Sequence, residues 1–112
     1  LSPHDPHLWT FYHMRGLTHY HLGRLEEAEK DLSRSVRLPN VTYWPFATFA
    51  SLLGNRGRLD RAAKIVAELL RRKPGYDTGY ARSDLVLLQH APQWKTFTET
   101  YVAGLVKAGV PG

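Results

Sequence analysis

The chain has 112 residues, 43% of them hydrophobic, with four Phe, three Trp and six Tyr, enough apolar bulk for one small core and too much for wholesale disorder. Its formal charge of +5 comes without a cysteine, which excludes disulfides, thiolate metal sites and cysteine nucleophiles. No apolar run is long enough to span a membrane, and the polar, proline-rich start LSPHDPHLW is no secretory signal, so a cytoplasmic protein without membrane insertion is expected.

Asp5-Pro6 reads as a helix start, because an Asp carboxylate accepts from a free backbone N–H and Pro suits the first turn. Apolar residues at Leu8, Phe11, Tyr12 and Leu22 predict a helix over about 6–22, stopped by Gly23. Leu25, Ala28, Leu32, Val36 and Leu38 mark a second over about 25–37, ended by Pro39-Asn40. Thr42 can cap a third, with Pro45 in its first turn and Phe46, Phe49, Ala50 and Leu53 on one face. Gly57 ends it, and a fourth runs from Leu59 to about Arg72, stopped by Pro74-Gly75. A further unit opens near Tyr80, and Pro92 starts a last helix with Trp94, Phe97, Tyr101, Val102 and Leu105 on one face, closed by Lys107 and Gly109. No segment alternates in twos, so the expected class is all-α.

The hexamers GRLEEA (23–28) and GRLDRA (57–62) lie 34 residues apart, and size classes repeat at the same offset in the pairs Tyr12/Phe46, Gly16/Ala50, Leu32/Val66 and Val36/Leu70. A fixed period of this length is the mark of stacked helical hairpins. Gly23 and Gly57 supply the positive φ of a tight turn, Leu25 and Leu59 are expected to turn inward over the joint, and Ala28 and Ala62 are expected where the helices cross closest. Tyr80 and Leu87 continue the offset from Phe46 and Leu53, but APQWKT stands where a third turn is due, as in a terminal cap.

These features resemble the tetratricopeptide repeat family, with Gly16 and Ala50 at its small position, Ala28 and Ala62 at its alanine position and Pro74 at its closing proline. Arg15 and Phe49 depart from the usual leucine, His19 and Leu53 from the usual tyrosine, and Ser35 replaces a small apolar residue. The resemblance implies a right-handed α-solenoid of two hairpins, repeats at about 9–42 and 43–76, with a degenerate third unit at 77–112 as C-terminal cap. A narrower likeness, carried by LSPHDPHLW, the two hexamers, LLRRKPGY and the closing YVAGLVKAGVPG, is to the C-terminal repeat region of bacterial adenylate/guanylate cyclases. Related regions follow winged-helix transcriptional activators. It implies a regulatory, partner-binding part of a larger signalling protein, an expectation that fits a chain beginning at Leu1 rather than methionine.

In that family the first helix of each hairpin lines a concave groove. Carried over by position, the groove would present His13, Leu17, Tyr20 and His21, then Ala47, Ser51 and Asn55, then Ala81, Leu85 and Gln89. Polar Tyr20, Ser51, Asn55 and Gln89 could hydrogen-bond an extended peptide, and Leu17 and Leu85 could take its apolar side chains; the alternative is that a short cap helix or repeats ahead of this segment fill the groove. The expected partner is a protein or peptide, or another domain of the parent chain, with a second copy of this chain as a further candidate. The alternative is an anionic partner on Arg58, Arg61, Lys64, Arg71, Arg72 and Lys73, since residues 41–76 carry seven basic and two acidic side chains; a nucleic acid is disfavoured because no aromatic interleaves the run. The histidines His4, His7, His13, His19 and His21 do not fall three or four apart on one helical face, so no metal is expected. No nucleophile–base–orienter set is legible, Glu26, Glu27 and Glu29 read as a solvated face with Glu26–Lys30 as a helical pair, and neither catalysis nor a cofactor is expected.

Overall fold

The structure, a computed structural model, describes residues 2–86 and 90–112. Its described residues form helices and turns with no strand: α1 (Leu8–His21), α2 (Leu25–Ser35), α3 (Tyr43–Asn55), α4 (Leu59–Arg72), α5 (Thr78–Asp84) and α6 (Pro92–Ala108). The all-α expectation holds, and no described helix is long and apolar enough to cross a membrane.

The first helix starts two residues later than predicted. Asp5 Oδ1 accepts from His7 N at 2.8 Å and Asp5 O from Leu8 N at 3.1 Å, so the Asp-Pro pair forms the turn that enters α1 rather than its first turn. Thr42 caps α3 as predicted, accepting from Trp44 N, and Pro45 sits buried in the first turn.

Gly23 and Gly57 have φ of +78° and +72°, and nothing lies within 4 Å of a Cβ built on either. Their role is therefore conformational. At each, the next residue's N–H reaches back to the carbonyl five residues earlier, Arg24 to His19 at 2.8 Å and Arg58 to Leu53 at 3.0 Å. Val110 closes α6 the same way on Leu105 at 3.0 Å, after Gly109 at φ +104°. The joint leucines are a correction: Leu25 and Leu59 stand at the first helical positions and are exposed, 36% and 53%. Ala28 and Ala62, three residues on, are the ones that turn in, and both are fully buried. Gly16 faces the same crossing, where a Cβ would meet Leu32 Cγ at 2.9 Å and Asp31 Cβ at 3.2 Å.

Three of the departures from the repeat pattern are accommodated within the fold. Arg15 pairs with Asp31 through two hydrogen bonds of 2.8 Å, Phe49 is fully buried, and Ser35 Oγ donates to Trp9 O at 2.8 Å. The largest inter-hairpin packing surface belongs to α3, which is buried along nearly its whole length between α2, α4 and α6. α6 folds back over α3, and the tail after it caps α5, with Val110 buried and Pro111 O accepting from Thr78 N at 2.9 Å. The radius of gyration is 13.0 Å, the size of a closed globule of this length rather than an open superhelix.

Candidate functional site

The inner wall predicted to hold a partner is assembled by the fold, but its occupant is α6. His13, Leu17, Tyr20, Ser51 and Leu85 are buried, and His21 and Asn55 half-buried; Gln89 lies outside the described residues. Of the two readings left open, a free groove or one filled by a cap helix, this wall fits the second. The reason is steric as much as apolar: a Cβ on Gly54 would overlap the Gly104 carbonyl oxygen, and one on Gly104 would overlap the Ser51 carbonyl oxygen. Two glycines let the backbones of α3 and α6 approach to a distance that no other residue pair permits.

Polar groups seal this contact in a chain whose proton directions follow from counting. Ser51 Oγ donates its only proton to Tyr101 O at 2.7 Å, so it must accept from the Tyr20 hydroxyl at 2.8 Å. Tyr20 then accepts from Asn55 Nδ2 at 2.7 Å, and the same amide nitrogen donates to Thr100 O at 2.8 Å. Lys107 Nζ donates to Asn55 Oδ1 at 3.3 Å. A second chain joins His13 Nε2, Thr48 Oγ1 and the Tyr101 hydroxyl at 2.9 and 2.8 Å. Burial raises the tyrosine hydroxyl pKa values of Tyr20 and Tyr101 and lowers that of His13 to about 3, so all three groups are neutral at pH 7. His21 stacks on Trp94 with ring centroids 3.9 Å apart. Most of these residues therefore pack within the chain, while Tyr20, His21 and Asn55 also line a small open pocket of about 310 Å³ with Gln93, Thr96 and Thr100 of α6.

A different concavity stays open on the opposite side, along α2. It has a volume of about 600 Å³. α1 and the α2 segment contribute Arg15, Lys30, Arg34 and Arg37; the α3–α4 turn and α4 contribute Arg56, Arg58 and Arg61. Against these seven cations stand three carboxylates, Glu26, Glu29 and Asp31, a surplus of four positive charges. Glu29 was expected on a solvated face. Instead its side chain is only 15% exposed and receives Arg56 at 3.1 Å, Arg58 at 3.2 Å and Arg61 at 3.4 Å. Glu26–Lys30 is not among the ion pairs of the described residues, so Lys30 stays uncompensated beside Arg34, which lies over the Tyr12 ring at 4.5 Å.

The predicted basic run of α4 is split by the structure. Arg58 and Arg61 face this groove. Arg71 and Arg72 both bond Glu68, whose carboxyl they hold down to about 2, and Arg72 also donates to Val41 O at 2.9 Å. Lys73 sits over the Tyr80 and Tyr43 rings at 4.8 and 5.6 Å. Sequence reasoning missed Ser33, Arg34, Arg37 and Arg56 because they come from two separate segments, the end of α2 and the α3–α4 turn. The available signal was their common alignment once α2 and α4 are laid side by side as second helices of adjacent hairpins. Among the described residues no group of three or more His, Asp or Glu converges in a way that could hold a metal ion. Compared with known proteins, the chain matches no family model, no curated protein sequence and no solved structure.

Proposed function

We propose that this chain is a protein-interaction module that captures an acidic segment of a partner in the arginine groove along α2. The observation that carries this reading is the surplus of four positive charges in one open concavity of about 600 Å³, three of them on side chains without an ion-pair partner among the described residues. We further infer that the two hairpins are tetratricopeptide-like repeats of a right-handed solenoid with α5 and α6 as cap. The support is the recurrence of turn, small residue and helix start at one offset, α2 beginning at Leu25 and α4 at Leu59. The cyclase-like phrases of the sequence, closing with YVAGLVKAGVPG, support a cytoplasmic regulatory role beside a signalling domain. The anionic-surface alternative is less well supported as a nucleic-acid site, because Arg71, Arg72 and Lys73 are engaged within the chain and leave no continuous basic track.

The test is titration of the 112-residue chain with a fluorescent oligo-glutamate peptide and with a neutral peptide of equal length. Binding of the acidic peptide alone, reduced at least tenfold in Arg34→Glu/Arg37→Glu and unchanged in Lys64→Glu, is the expected result. Equal binding of both peptides, or no effect of the double variant, overturns the groove as docking surface.

A further inference from the structure

One point inside the groove is built more specifically than charge alone requires. Arg37 Nη2 donates to Ser33 Oγ at 3.3 Å and Arg61 Nη2 donates to the same oxygen at 3.2 Å. Arg37 is further anchored by its Nε on Ser33 O at 3.0 Å, and Arg61 by Glu29 at 3.4 Å and by its stacking over the Phe49 ring at 4.9 Å. Two guanidiniums from different elements therefore meet at one hydroxyl and use both of its lone pairs. The hydroxyl proton has no acceptor among the described residues, and it is left to point away from both donors.

This is a donor set without its acceptor. Ser33 offers one O–H, and Arg37 and Arg61 offer further N–H groups around the same point. Lys30 and Arg34 stand nearby on α2 without a carboxylate partner. The resident anion, Glu29, is already shared by three arginines. A carboxylate ligand brings one charge and two oxygens. A phosphomonoester brings about −1.5 to −2 charges at pH 7 and three acceptor oxygens, which matches one hydroxyl, two guanidiniums and the surplus charge. Planar guanidinium forks also suit phosphate geometry better than ammonium groups do.

Resting on the reading of the groove as a docking surface, we propose that Ser33, Arg37 and Arg61 form a phosphate-binding site that selects a phosphorylated side chain on the partner segment. A phosphopeptide fits better than a nucleic acid because Arg37 and Arg61 converge on the single Ser33 hydroxyl, whereas a nucleic-acid backbone presents a row of phosphates and needs a track of cations to follow it. Beyond Arg58 and Arg61, Arg71 and Arg72 are bonded to Glu68 and Lys73 is stacked on tyrosines, which leaves Lys64 alone and no track along α4.

The experiment uses the 112-residue chain and four probes of equal length: a neutral peptide carrying one central phosphoserine, the same peptide with Glu in its place, the oligo-glutamate peptide, and a single-stranded oligonucleotide. Affinities are read by fluorescence anisotropy at fixed ionic strength, and the arginine Nε–H resonances by NMR. The phosphoserine peptide is expected to bind at least tenfold tighter than its Glu counterpart and to shift the resonances of Arg37 and Arg61. Ser33→Ala should cut that preference severalfold, and Arg37→Gln should abolish it; Arg37 is exposed, so its replacement leaves the fold intact, and the thermal melt checks this. Equal affinity for the phosphoserine and Glu peptides, with the oligo-glutamate peptide still bound, overturns the phosphate site and spares the proposed function. Failure of every acidic probe overturns both. Tighter binding of the oligonucleotide than of the phosphopeptide overturns the site as a phosphopeptide receptor.

Discussion

Asn55 shows how much a single amide can decide. Its position two residues before Gly57 allows two roles, a partner-binding group or a helix-end cap, and the structure gives it a third: a clamp joining α1 through Tyr20, α3 through its own backbone and α6 through Thr100 and Lys107. Asn55→Ala leaves the Tyr20 hydroxyl without its donor and the Thr100 carbonyl without its acceptor role. We expect a loss of about 1–3 kcal/mol, the usual cost of unpaired groups in such a network, measured as a shift of the urea midpoint. An unchanged midpoint would sink the clamp. His13 makes a second test. Its folded pKa of about 3 lies below the ordinary 6.5, with burial as the cause and Nδ1 buried without a partner. Between these values the unfolded chain binds one more proton than the folded chain. The stabilising contribution is thus complete above about 6.5 and is lost as pH falls toward 3, at up to about 1.4 kcal/mol per pH unit. In His13→Gln the slope of stability against pH over 6.5 to 4 should fall by that amount; an identical slope in both proteins would show that His13 takes up no proton on unfolding.

At the scale of elements, α6 is the piece on which the fold turns. Phe97, Tyr101, Leu105 and Val110 join one continuous core with Leu17, Tyr20, Leu53 and Leu69. Cutting the chain after Tyr76 uncovers the whole inner wall of α1 and α3. The fragment is expected to bind a hydrophobic dye, lose its near-ultraviolet dichroism and associate, since neither hairpin retains an outer polar layer on that side. A monomeric fragment with a cooperative melt would remove α6 from the core. The sharper variant is Gly104→Ala, in which one methyl overlaps the Ser51 carbonyl and must push two helix backbones apart. Overpacking of this kind costs about 1–3 kcal/mol or more, and differential scanning calorimetry should show it. Gly57→Ala, with open space around its Cβ but φ at +72°, should cost only the left-handed strain of about 1–2 kcal/mol. If Gly104→Ala proves milder than Gly57→Ala, the close approach of α3 and α6 is wrong.

At the scale of the molecule, one face of the bundle is closed by self-packing and the other is left charged. Arg34 and Arg37 of the groove are exposed, so charge can be changed there without disturbing the core. Arg34→Glu/Arg37→Glu should melt within about 0.5 kcal/mol of the parent, as surface changes do, while acidic-peptide affinity drops. Affinity in the parent should itself decline as salt rises, because the donors are solvent-accessible and screened. A melt lowered in step with affinity would mean that the arginines serve the fold and not a partner.

Local rules alone were enough for the helices and their turns. The four main helices, the glycine stops, the Thr42 cap and the buried alanines follow from spacing and backbone chemistry, because a helix end needs a donor, an acceptor or a positive φ supplied within a few residues. Which residues share the inner wall comes from the register of the repeat family that the sequence resembles, not from local rules. They were silent on what lies against it. That Ser51 and Asn55 bond α6 while holding Tyr20, that Gly54 meets Gly104, and that Glu29 gathers three arginines all depend on segments 27 to 50 residues apart in the chain meeting in space. Periodicity records the face a residue points to; only packing decides which surface comes to rest on that face, since many apolar partners could bury it and the glycine pair admits one at close range.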